Sequence, residues 1–173
     1  MKSIKIQLLT LLSVILMFNC GGKEEKKNEG FTYEKSSAQE KSETKADDNV
    51  ANIVLTANDM MQYNTKEIKV KAGQKIKLTL RHLGKLDVNV MGHNFVLLKQ
   101  GADLVEFATK AATQKDNKYI PKEAQDDIIA YTDLIGGGQV TAIEFEAPTP
   151  GTYEFLCSFP GHYAMMRGHF IVE

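Results

Sequence analysis

Near the end of the chain, Cys157-Ser158-Phe159-Pro160-Gly161-His162-Tyr163-Ala164-Met165-Met166 sets a thiol, an imidazole and a thioether at the spacing C-x4-H-x3-M. A second imidazole stands far upstream in Met91-Gly92-His93-Asn94. Two ring nitrogens and one thiolate make a trigonal set, and a thioether above its plane suits an ion that alternates between Cu(I) and Cu(II). Soft sulfur favours Cu(I), and imidazole serves both oxidation states. His2Cys with a weak axial methionine is the established donor pattern of blue-copper electron-transfer sites, so the chemistry in view is one-electron exchange. Zinc accepts the same donors, because affinity alone does not choose the metal. A lone cysteine is most often a small, inert, buried hydrophobe. The histidine and methionine that follow Cys157 at short intervals set it apart.

These donors need a scaffold that brings distant stretches of chain together. From Val50 onward the sequence breaks into short alternating runs at 52–56, 68–71, 76–80, 94–98, 127–131, 141–145, 153–157 and 169–172, rich in β-branched or aromatic residues and bounded by turn formers. They predict an all-β antiparallel sandwich of about eight strands with Greek-key connections. One insertion differs. Residues 102–113 place Leu104, Val105, Phe107, Ala108 and Ala111 near helical spacing, which predicts a helix packed on one face. Gly136-Gly137-Gly138 is a turn, since no helix signature follows it to make a phosphate cradle. His169 alternates with Phe170 on the last strand and is taken as a strand residue.

The front of the chain has another character. Residues 1–19 carry two lysines and an apolar run from Ile6 to Phe18, shorter than the roughly 20 residues a membrane-crossing helix requires. They form a signal peptide. Cys20, followed by Gly21-Gly22, resembles the lipid-bearing cysteine of a bacterial lipobox, although Phe18 and Asn19 replace the usual small residues. Residues 20–49 are charged and poor in large apolar side chains, so they cannot offset the entropy of ordering and act as a tether from a lipidated Cys20. Lys23-Glu24-Glu25 resembles an outer-surface sorting signal for lipoproteins. The whole chain of 173 residues has 21 basic and 22 acidic side chains, a balance that argues against nucleic acid as a partner. Its two cysteines exclude a disulfide-dense scaffold.

Four segments lie in one register: residues 58–65 (Asn-Asp-Met-Met-Gln-Tyr-Asn-Thr), residues 89–94 (Asn-Val-Met-Gly-His-Asn), Leu134-Ile135-Gly136, and the run from Cys157 to His162. Through them, residues 50–173 resemble the azurins of the blue-copper cupredoxin family. The resemblance implies a Greek-key cupredoxin β-sandwich with one helical insertion. It implies copper held in plane by His93, Cys157 and His162, with Met166 on one axis and the Gly92 carbonyl on the other. Met165 is an alternative thioether, but the family spacing selects Met166. The N–H of Phe159 would donate to the Cys157 sulfur and the Asn94 side chain would tie the two ligand loops, both raising the reduction potential. His162 would be more exposed than His93, inside an apolar patch of Met61, Leu86, Met91, Phe159, Pro160 and Met165 where redox partner proteins dock. His82 aligns with a buried non-ligand histidine, which either titrates or is a satisfied core residue.

Departures from the family pattern carry weight as well. Its disulfide would fall at Ala51 and Gln74, so a cross-link of about 2–4 kcal/mol is missing and copper binding contributes to stability instead. Phe95 replaces a buried tryptophan, and Tyr131 replaces a surface histidine. Three functions compete: an electron carrier, a copper buffer or delivery protein using the same ligands, and an enzyme with a second catalytic metal. Four histidines leave no second cluster for the last. The leader and Cys20 imply a location outside the cytoplasm, lipid-anchored to a bacterial membrane on its periplasmic side or at the cell surface.

Overall fold

Strand β4 (Lys75–His82) alternates exposed and buried positions along its length, and Ile76, Leu78 and Leu80 are fully buried. Each such side chain contributes about 1.5–3 kcal/mol on leaving water. The computed structural model describes residues 49–173, so the expected signal peptide, Cys20 and the expected tether to residue 48 lie outside the described residues.

The strand β1 (Val50–Asn58) runs parallel to β4 on one side, and the two-residue β2 (Gln62–Tyr63) folds back on it. The other neighbour of β4 is β7 (Val140–Glu146), antiparallel. The second sheet is ordered β3 (Glu67–Val70), β9 (Arg167–Val172), β8 (Gly151–Leu156), β5 (Val96–Leu98) and β6 (Ile128–Tyr131). Phe95, Phe155 and Phe170 fill the space between the sheets with the β4 aliphatics.

Two helices interrupt the strands. The first, α1 (Val88–Met91), is a single turn begun by Asp87, whose carboxylate accepts the Asn89 N–H. The second, α2 (Leu104–Ala111), is capped by Asp103, which accepts from the N–H groups of Val105 and Glu106. Its Leu104, Phe107, Ala108 and Ala111 cover Val96, Leu98 and Leu156 in a second core. That explains why β5 is apolar at every position: Leu97 faces the sandwich while its neighbours face the helix.

The all-β Greek-key sandwich and the helical insertion are as the sequence predicts, with three differences. The sheets are mixed, because β1–β4 and β3–β9 pair parallel. Alternation reports which face is buried and says nothing of strand direction. There are nine strands among the described residues, β2 being too short to make a pattern, and β5 begins at Val96 after Asn94 and Phe95. Within α2, Val105 is exposed and packs in neither core.

Candidate metal centre

The first ligand segment leaves α1 through Gly92, at φ −69°. A side chain there would put its Cβ 2.6 Å from the Val88 carbonyl oxygen and 2.8 Å from the Phe159 ring, so only glycine allows this approach. The Gly92 carbonyl oxygen lies 3.8 Å from the Cys157 sulfur. His93 is pinned next, with its N–H and C=O both bonded to Ile135 at 2.9 Å. Its Nε2 lies 2.9 Å from the Asn58 carbonyl. A carbonyl only accepts, so Nε2 carries the proton and Nδ1 is left with its lone pair facing Cys157. His82 stacks on this ring, with centroids 4.4 Å apart. The His82 Nδ1 accepts the Gly84 N–H and its Nε2 donates to the Met91 carbonyl, so both ring nitrogens are partnered.

The second segment is the loop from β8 to β9. Cys157 N–H donates to the Met166 carbonyl at 2.9 Å, closing the loop on itself. Gly161 takes φ +80°, a left-handed turn open to glycine, and starts a 3-10 turn at His162–Ala164. The N–H groups of Met165 and Met166 both donate to the His162 carbonyl. Met166 is fully buried in the same core cluster as Cys157, whereas Met165 is half exposed.

Asn94 joins the two segments. Its side chain donates to the Ser158 hydroxyl at 2.8 Å and accepts the Ser158 N–H at 2.9 Å, and both residues are buried. Its own carbonyl accepts the Tyr63 hydroxyl.

In this frame the Cys157 Sγ lies 3.9 Å from His93 Nδ1 and 3.7 Å from His162 Nδ1. The three donor atoms fall within 4.8 Å of one another, and this is the one such group of His, Cys or acidic side chains among the described residues. An ion held at about 2.0–2.1 Å by nitrogen and about 2.3 Å by sulfur, the lengths known for zinc, would separate the two donors by roughly 3.8 Å at about 120°. The spacing therefore fits one ion held by a thiol and two imidazoles, and the soft donor set fits copper.

The electrostatics suit a ligand set waiting for a cation. Burial pushes the Cys157 thiol up to about 11, opposed by the N–H groups of Asn94 and Phe159 and by the Tyr63 hydroxyl. Burial also lowers His93 and His162 to about 4 each, His93 being further lowered by His82 and His162 by both other rings. At neutral pH both imidazoles offer free lone pairs, and the thiol alone must lose a proton to bind metal.

The surface meets one expectation only narrowly and departs from another. His162 is more exposed than His93, but only at 3% against 0%, with Phe159 packed on its ring at 4.6 Å. The difference between the rings lies in their Nε2 atoms: among the described residues His93 donates to Asn58, whereas His162 has no corresponding hydrogen bond and no buried side-chain nitrogen lacks a partner. Phe159 is itself buried, edge-on to Tyr119 at 5.0 Å, and Met61 and Met91 are half buried. Of the expected patch, Leu86, Pro160 and Met165 are exposed. His169 lies outside the cluster, exposed and opposite Glu154. The Asn58 carbonyl and the Tyr63 hydroxyl were not legible as parts of the site. The first is backbone, and the second lies within a matched motif without a chemical signature of its own.

Comparison with known proteins agrees with this geometry. Residues 48–173 match the family described as copper binding proteins, plastocyanin/azurin family. Over 118 residues the chain is 40% identical to Azurin-1 of Alcaligenes xylosoxydans xylosoxydans, covering 66% of this chain and 91% of that protein. It is also 40% identical over 123 residues to the azurin of Pseudomonas chlororaphis, covering 69% and 95%. Among solved structures, the azurin Az-iso2 of Methylomonas sp. strain J superposes with a TM-score of 0.63 at 32% identity, covering 71% of this chain and 98% of that one. With a buried His-Cys-His cluster sized for a single ion on a Greek-key sandwich, the chain belongs to the plastocyanin/azurin family of copper-binding cupredoxins.

Proposed function

We propose that this domain is a one-electron carrier and catalyses no reaction itself. The observation that supports it is the donor set, dry and held in place by the protein's own hydrogen bonds. His93 Nδ1, Cys157 Sγ and His162 Nδ1 would hold copper, with the Met166 thioether and the Gly92 carbonyl as weaker donors. Copper so bound supplies a Cu(I)/Cu(II) couple. The chain's part is to keep the donors still in both oxidation states. Asn58 fixes one ring, the Met166 carbonyl holds the Cys157 backbone, and Asn94 holds the two segments at one separation. The N–H groups reaching the sulfur stabilise its negative charge and so favour the reduced state.

Exposed Leu86, Pro160 and Met165 would offer apolar surface for brief contact with redox proteins. The leader and Cys20 support a location outside the cytoplasm with a lipid tether to a bacterial membrane. A copper buffer built on the same ligands would exchange its ion readily. Donors that are at most 3% exposed oppose such exchange.

The copper-loaded chain is expected to show an intense visible thiolate-to-copper band and the narrow EPR splitting of a blue site, both lost in Cys157→Ser. Absence of the band from the wild type would overturn the reading. Rapid copper loss to a chelator with slow electron self-exchange would favour the buffer. Mass spectrometry of Cys20 in the native host tests the anchor.

A further inference from the structure

A groove of about 380 Å³ opens beside the ligand loop, with Tyr63 in its wall and Lys66, Met165 and Arg167 around it. The neighbouring hollow shares Lys66, Met165 and Arg167 and adds His169 and Glu154. Lys66 and Arg167 are exposed, and neither has an ion pair among the described residues. They are held side by side by the backbone: His169 N–H donates to the Lys66 carbonyl at 2.8 Å. At Gly168, a Cβ would lie 2.3 Å from that same carbonyl oxygen, so only glycine permits the approach. The backbone carrying the two cations is therefore held close, with Lys66 flanking β3 and Arg167 opening β9.

Tyr63 connects this groove to the metal centre. Its ring packs against Phe155 at 5.8 Å, and its hydroxyl donates to the Asn94 carbonyl. The Asn94 side chain in turn holds Ser158, the residue next to Cys157. Tyr63 and Asn94 thus link the groove to the segment that carries Cys157 without involving His162.

We propose that the groove of Tyr63, Lys66, Met165 and Arg167 docks a redox partner through an acidic surface, giving Cys157 an electron path that does not pass through His162. The proposal rests on the electron-carrier reading. One electron passes between Cys157-bound copper and the partner, which is oxidised or reduced by one unit, and no bond or proton changes place. An anionic membrane is a poorer occupant: lipid headgroups are gathered by clusters of roughly four to eight basic residues, and here two cations face one glutamate.

The test uses the reduced, copper-loaded chain and two small oxidants, hexacyanoferrate(III) as the anionic probe and tris(phenanthroline)cobalt(III) as the cationic one. The groove variant is Lys66→Glu with Arg167→Glu. Its control, Lys71→Glu with Lys99→Glu, makes the same charge change where β3 and β5 end, away from Arg167. At low salt the groove variant is expected to slow the anionic probe about tenfold and to speed the cationic one, with the control pair changing either by less than about twofold. Equal slowing by the two pairs would overturn the proposal. So would unchanged probe rates combined with loss of binding to phosphatidylserine vesicles, which would assign the groove to lipid. A wild type with no blue band defeats the carrier reading itself, whereas a normal band with equal probe rates defeats only the groove.

Discussion

The two segments that supply the donors are built in opposite ways. The Gly92–Asn94 stretch is held from outside, by Ile135, by Asn58, by the stacked ring of His82 and by Ser158. The β8–β9 loop is held largely from within, by bonds from its own N–H groups to the carbonyls of Phe159, His162 and Met166. A site can therefore be rigid without being rigid in one manner. One wall belongs to the sandwich and the other is a compact hairpin end, and Asn94 fastens the second to the first.

Four experiments would break or sharpen this contrast. Met166→Ala should cost about 2–5 kcal/mol in denaturant unfolding of the metal-free protein, because a fully buried side chain leaves a cavity where the loop meets the core. A loss below about 1 kcal/mol would show that the loop does not depend on the core. Asn94→Leu removes the fastening while roughly keeping volume. It leaves the buried Ser158 N–H and hydroxyl without their partner and should cost about 1–3 kcal/mol. Unfolding by urea should show the cost, and a red- or blue-shifted visible band in the loaded protein should show the loosened separation.

The third experiment is a pH series on the metal-free protein. His93 and His162 titrate near 4 in the fold against 6.5 when unfolded, so between these values the unfolded chain takes up protons that the fold refuses. Stability should fall as pH drops from 6.5 towards 4. Cys157, raised to about 11 from 9.0, makes the opposite contribution: its stabilisation is complete below 9 and is lost as pH climbs to 11. A stability curve flat from pH 7 to 4 would mean that the segments assemble only around metal. Met165→Ala should give the smallest effect, within about 0.5 kcal/mol, since its side chain is half exposed. Paired with Met166→Ala, it tests whether two adjacent thioethers have separate tasks.

How much could be seen in the sequence varied with the kind of interaction. His93, Cys157 and His162 were legible because their side chains are the chemistry, and Asn94 was legible through the family pattern. The Asn58 carbonyl that fixes the tautomer of His93 was not, since any residue can offer a carbonyl there. Strands such as β4 announced themselves by alternation, whereas the parallel pairing of β1 with β4 depends on contacts far apart in the chain. The short helix α1 had its start signal in Asp87, but one turn is too brief to show a period. The near-burial of His162 was missed because Phe159, assigned to the surface patch, turns inward to cover it.

The crowding of Cys157, His162 and Met166 into ten consecutive positions has an outcome for how this molecule acquires its ion. An unfolded chain already presents a local tridentate hook, while the fourth donor arrives only when the sheets close and β5 is seated beside β8. Ion captured early would bind loosely to the hook and tighten in step with closure, so loading and maturation become a single event.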